Sequence, residues 1–230
     1  MTKLIADSIV VSIPPLENGD RLSITEFERR YQAMPNLKKA ELIEGIVYMA
    51  SPVRSRSHGK PHAAVMAWLS NYWLATPGTD LNDNTTVILD LKNEPQPDVL
   101  LRLEEEVGGQ SRINKNDYVE GAPELVVEIA ASSSAYDLHD KKEVYLRSGV
   151  KESLVWQVND QKLDWFKLHE GEYIALSPDE KGIIKSQVFP GLWLTVSSLL
   201  QGDLTKVLAI AKEGINSVEH QGFLQGLANS

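Results

Sequence analysis

The 230-residue chain contains no cysteine, which excludes a disulfide framework, a thiolate metal site and a cysteine nucleophile. It also lacks a Gly-rich phosphate loop ending in Lys-Ser/Thr, a dinucleotide-binding glycine fingerprint and a G-x-S-x-G elbow. Those absences remove the commonest kinase, dehydrogenase and hydrolase readings. No apolar run approaches the length of a membrane span. The opening MTKLIADSIVVSIPP is interrupted by Asp7 and Ser8 and has no clear small-residue cleavage site. It is therefore not read as a secretory leader, and the chain is expected to be cytoplasmic, with no membrane partner. Positive charge is scarce too. A formal net charge of −9 argues against a generally basic nucleic-acid coat, although a local positive groove stays open.

What is present describes an ordinary globular protein with a sizeable core: 42% hydrophobic and 24% charged residues. SITEFERRYQAM predicts a helix in which Thr25 and Glu28 form a capping box and Pro35 is the stop. AELIEGIVYMAS reads as two short strands hinged near Gly45 and closed by Pro52. HAAVMAWLSNYWLA is a charge-free helix, either core or part of a subunit contact. Strands are expected at Thr85–Leu91, from Pro97 and from Glu124, with a polar loop between the last two centred on Gly108–Gly109. DLHDKKEVYLRSG predicts a helix capped by Asp137 and stopped by Gly149, with Lys141, Val144, Tyr145 and Ser148 on one face. SLVWQV, KLDWFKL and EYIALS suggest an antiparallel meander, and a last helix is expected around Leu204–Gly214 before a polar tail. Together these elements predict an α/β fold: a mixed central sheet with helices on its faces.

Within PELVVEIA, Glu128 stands in a strand that is apolar on both faces. An ionised carboxylate there is expensive unless something cationic meets it. Asp98 begins another apolar strand. If the two strands are neighbours, both acids reach one notch, where a divalent cation such as Mg2+ would relieve their repulsion. Lys141, on the following helix, could orient a metal-bound water or stabilise developing charge, a combination suited to phosphodiester hydrolysis. Taken singly, each has a plainer explanation: Asp98 as a turn residue, Glu128 as half of an ion pair, Lys141 as a solvated helix lysine.

ELIEG, PDVLL, PELVVEIA followed by three serines, DLHDKKEVY and SGVKESLVW occur in an order that resembles the Uma-type restriction endonuclease family of the PD-(D/E)-x-K nuclease superfamily. The likeness covers roughly Ser23 to Leu200, by pattern rather than by one motif. It implies a restriction-endonuclease-like mixed central sheet flanked by helices, and a Mg2+-dependent site acting on DNA. Carried over by position, Asp98 and Glu128 would be the metal ligands, and Glu41 a further acid, preferred to Glu44. The superfamily lysine two places after the second acid is here Ala130, so Lys141, with Lys142 as its rival, takes that role from the helix. The implied organisation is an irregular lead over 1–22, a nuclease-like domain over 23–200, and a C-terminal helix and polar tail over 201–230.

SPVRSRSHGKPH offers Arg54, Arg56, His58 and Lys60 as nucleic-acid contacts, or simply a solvated basic loop. His58 and His62 have helical zinc spacing, but Gly59 stands where the acid should be. Trp156, Trp165 and Trp193 are read as core. The leading expectation is a DNA endonuclease working as a homodimer. Its rivals are a nuclease-fold binding or assembly module without turnover, and a hydrolase of small phosphate esters.

Overall fold

The computed structural model describes residues 12–49, 54–131 and 136–229, without the side chains of 136–138. Pro52 and Ser132–Ser134 lie outside them. Helix α1 (Ile24–Gln32) is capped by Ser23, whose Oγ accepts from the Glu26 N–H at 3.4 Å. The expected Thr25–Glu28 box is corrected by two residues, because Ser23 is the last extended residue and Thr25 already lies in the helix. Strands β1 (Ala40–Ile43) and β2 (Ile46–Met49) form a hairpin. Both turn residues, Glu44 and Gly45, have positive φ, 53° and 73°, as the tightest hairpin turn requires.

Helix α2 (Lys60–Leu74) leads to β3 (Thr79–Asp83) and β4 (Val87–Ile88). The strand expected over Thr85–Leu91 is cut short after Ile88. The Asp90 carboxylate accepts from Lys92 N–H at 2.7 Å and from the Asn93 amide at 2.9 Å, a side-chain turn that replaces ladder hydrogen bonds. β5 (Val99–Leu103) follows. The polar loop after it carries a short strand of its own, β6 (Arg112–Ile113), pinned to β7 (Val119–Glu120). β8 (Leu125–Ala130) and helix α3 (Tyr136–Ser148) come next, then the meander β9 (Glu152–Gln157), β10 (Lys162–His169) and β11 (Glu172–Ala175). Asp137 falls inside α3 rather than at its edge, and its side chain lies outside the described residues. Gly149, at φ 86°, stops the helix as expected.

The central sheet has six strands in the order β11-β10-β9-β8-β5-β3. β8 and β9 are parallel, joined across α3, and every other neighbouring pair is antiparallel. β5 and β8 are buried along their whole length because both faces are covered. Alternation divides their side chains. Val99, Leu101, Leu125, Val127 and Ile129 pack with Val65, Trp68, Leu69 and Tyr72 of α2, whereas Leu100 and Val126 pack with Tyr145 of α3. The charge-free helix is thus core: the Trp68 ring meets Trp165 edge-on at 5.6 Å and its N–H donates to the Trp193 carbonyl at 2.9 Å.

After β12 (Ile183–Lys185) and β13 (Trp193–Thr195) the chain ends in α4 (Val196–Gln201), α5 (Leu204–Ile215) and α6 (Val218–Leu227). The expected polar tail is therefore largely a helix, started by Ser217, whose Oγ accepts from the His220 N–H at 3.2 Å. Val207 and Ala211 of α5 join the main core. Their helix comes close because residue 214 is glycine: a Cβ there would stand 2.2 Å from the Gly191 carbonyl oxygen. Among the described residues no helix is long and apolar enough to cross a membrane.

Candidate active site

Continuing the Val99–Val127 register by one residue sets Asp98 directly across from Glu128. Like charges opposed on adjacent antiparallel strands repel, so the sheet alone disfavours the pair. A direct tie confirms their proximity: the N–H of Ile129, next to Glu128, donates to Asp98 Oδ2 at 2.7 Å. Alternation turns Glu128 to the α3 face, where Lys141 Nζ lies 2.9 Å from its Oε1 and 2.8 Å from Glu41 Oε1. Tyr145, one helical turn beyond Lys141, donates its hydroxyl to Glu128 Oε1 at 2.6 Å. Glu41 reaches the cluster from β1 and also accepts the Gln96 N–H at 2.7 Å. The Lys141 side chain is only 3% exposed.

On the other side, Asp98 Oδ1 lies 3.1 Å from His58 Nε2 and 3.6 Å from Lys39 Nζ. His58 sits on a wide turn, Ser55–Gly59, in which the Gly59 N–H bonds the Arg54 carbonyl five residues back. Arg54, Arg56 and Lys60 are exposed on and beside that turn. The His58 and His62 rings stack at 5.8 Å, but their nitrogens serve different partners. His62 Nε2 faces the Asp98 carbonyl and Asp83 Oδ1, both at 3.1 Å, so the two histidines do not converge as zinc ligands. Lys142, the rival lysine, lies over the Phe166 ring at 3.8 Å, and Glu44, the rival acid, pairs with Arg147 at the surface.

The electrostatics follow from this layout. Burial would raise the Asp98 carboxyl, but the His58 hydrogen bond and the charges of Lys39 and Lys141 outweigh it and hold the group at about 2. Glu128 is pushed up to about 7, chiefly by burial and further by Asp98 and Glu41, with Lys141 opposing. Burial alone would lower Lys141, yet the two carboxylates raise it, so it remains an ammonium. The hydrogen bond to Asp98 raises His58.

The three carboxylates meet cations in two groups, Glu41 and Glu128 at Lys141, and Asp98 at Lys39 and His58. Asp98 and Glu128 supply hard oxygen donors from adjacent strands, the chemistry a small divalent cation takes. Among the described residues no three acidic or histidine side chains close into a cage by themselves. A cation held here would complete its shell with water, the habit of an ion that dehydrates reluctantly. The residues present fit such an ion.

One member of the cluster, Lys39, escapes a reading of the sequence that follows single motifs. It precedes β1 and alternates onto the same side as Glu41, and that period of two is the signal that would have found it. Helical spacing places Tyr145 on the face of Lys141, but without a role.

A family model described as "Putative restriction endonuclease" matches residues 24–197. No curated protein matches the chain. Among solved structures, one titled as a putative nuclease belonging to DUF820 from Anabaena variabilis is similar, with a TM-score of 0.56 at 12% identity, covering 75% of this chain and 96% of that one. At that identity the likeness concerns the fold alone: a mixed sheet flanked by helices.

Proposed function

The chain belongs to the Uma2 family, "Putative restriction endonuclease", and from that membership we propose that it is a Mg2+-dependent endonuclease hydrolysing DNA phosphodiester bonds. The observation that carries the proposal is the opposition of Asp98, just before β5, and Glu128 of β8, with the neighbouring Ile129 N–H donating to Asp98 at 2.7 Å. In this reading Asp98 and Glu128 hold the ion. When bound, Mg2+ would make a coordinated water more acidic and neutralise charge on the phosphate. Lys141 acts on Glu128 and Glu41, balancing their charge and fixing the Glu128 carboxylate together with Tyr145. The cytoplasm offers both DNA and the ion, and a homodimer would present one site to each strand of a duplex.

A second reading has its own support. Lys141 already satisfies both buried acids by ion pairs of 2.8 and 2.9 Å, as it would in a nuclease-fold binding or assembly module without turnover. Plasmid nicking discriminates between the two. The endonuclease converts supercoiled plasmid in Mg2+, stops in EDTA, and loses activity as Asp98→Asn or Glu128→Gln with an unchanged circular dichroism spectrum. A folded wild type that leaves supercoiled DNA, linear DNA and RNA intact at every Mg2+ concentration is the module instead.

A further inference from the structure

The cluster has two unlike sides. On the inner one, Lys141 is 3% exposed and bound to two carboxylates, so it cannot meet a phosphodiester without deserting both. On the outer one, Lys39 is 24% and His58 25% exposed. Lys39 Nζ is held loosely, 3.6 Å from Asp98 Oδ1 and 3.4 Å from Asn84 Oδ1, distances at or beyond the edge of hydrogen bonding. It is a partly exposed cation with little to lose. An incoming phosphate oxygen would exchange those slack contacts for a direct ion pair.

We propose that Lys39 and His58 form the seat for the phosphate of the bound strand, while Lys141 never touches substrate. This rests on the nuclease reading and specifies which cations of that site meet DNA. Geometry also gives the seat a continuation: Arg54 and Arg56, exposed on the turn that carries His58, extend positive charge along the path of a flanking backbone. In an acidic protein this edge is the local positive groove that the total charge left open.

The test measures binding of a fluorescein-labelled DNA duplex by anisotropy, with Ca2+ in place of Mg2+, across a salt titration. Lys39→Met is expected to weaken binding about tenfold and to reduce the slope of log affinity against log salt by about one, the mark of a lost phosphate contact. Lys39→Arg should keep most of the affinity and the slope, and Lys162→Met, on the exposed meander, should change neither. His58→Gln should weaken binding with its fold intact, giving a second reading if Lys39→Met is poorly folded. Unchanged affinity and slope in folded Lys39→Met and His58→Gln would overturn the seat while leaving Mg2+-dependent nicking by the wild type in place. A wild type that neither binds nor nicks DNA removes the nuclease reading and the seat with it.

Discussion

The Tyr145 hydroxyl donates to Glu128 at 2.6 Å on the same oxygen, Oε1, that Lys141 approaches at 2.9 Å. Two donors one helical turn apart on α3 thus grip one carboxylate oxygen in the middle of a buried strand. The grip fixes the orientation of Glu128 and leaves Oε2 as the oxygen on which neither donor sits.

Removing the phenol oxygen tests that grip. Tyr145→Phe leaves a buried carboxylate with one donor fewer, at a cost of about 1–3 kcal/mol. Urea unfolding should give a lower midpoint with an unchanged slope. A midpoint equal to that of the wild type would mean that the bond contributes nothing to the fold.

Lys141→Met should be far more damaging. It strands Glu41 and Glu128 without their shared counter-charge, a change expected to cost about 3–5 kcal/mol. Adding Glu128→Gln should restore part of the loss, since the remaining acid no longer faces a second one. If the single and double variants unfold at the same midpoint, the two residues are not coupled.

Cation binding should stabilise the protein, and more so at higher pH. Because Glu128 is raised to about 7, it carries a proton below that value and must release it to serve as a ligand. Millimolar Mg2+ should therefore raise the melting temperature clearly at pH 8 and hardly at pH 6. EDTA should reverse the shift and Asp98→Asn should abolish it. An equal shift at both pH values would remove Glu128 from the ligand set.

A separate acid gives a pH dependence unrelated to the site. Glu94 is buried, one of its carboxyl oxygens has no hydrogen-bond partner among the described residues, and burial raises it from 4.5 to about 8, with the charge of Glu28 adding. The folded state then binds a proton that the unfolded state has lost. Stability from this group is complete below pH 4.5 and drains away as pH rises towards 8. Glu94→Gln should flatten that decline by up to about 1 kcal/mol per pH unit, measured by urea unfolding between pH 5 and 8. The residual slope contains Glu128 and Glu152, both raised to about 7 by burial, His58, raised by Asp98, and an opposing contribution from His220, lowered by burial. An identical slope in the variant would show that Glu94 is ionised in the folded state.

Much of this architecture was present in local pattern. PDVLL and ELVVEIA read as buried strands because their apolar residues run without alternation, and both strands stand where they were expected. The face of α3 carrying Lys141, Val144 and Tyr145 follows from helical spacing, and all three are buried. Glu128 stood out because it interrupts such a run, and Asp98 because it begins one. Capping was less legible: Ser23 and Thr25 are both competent, and only the backbone's entry into the helix chooses between them.

The chain by itself therefore determined the buried strands β5 and β8, the helices α2 and α3, and which of their residues are costly to bury, since those properties depend on neighbours a few positions away. Tertiary structure alone decided that Glu41, from a hairpin a hundred residues before α3, shares Lys141 with Glu128, that Lys142 faces Phe166 instead, and that Lys39 and His58 guard Asp98 from the outside. Those pairings depend on how the hairpin, α2 and α3 dock on the sheet. Docking is set by the shape and burial of whole faces, which no short stretch of sequence encodes.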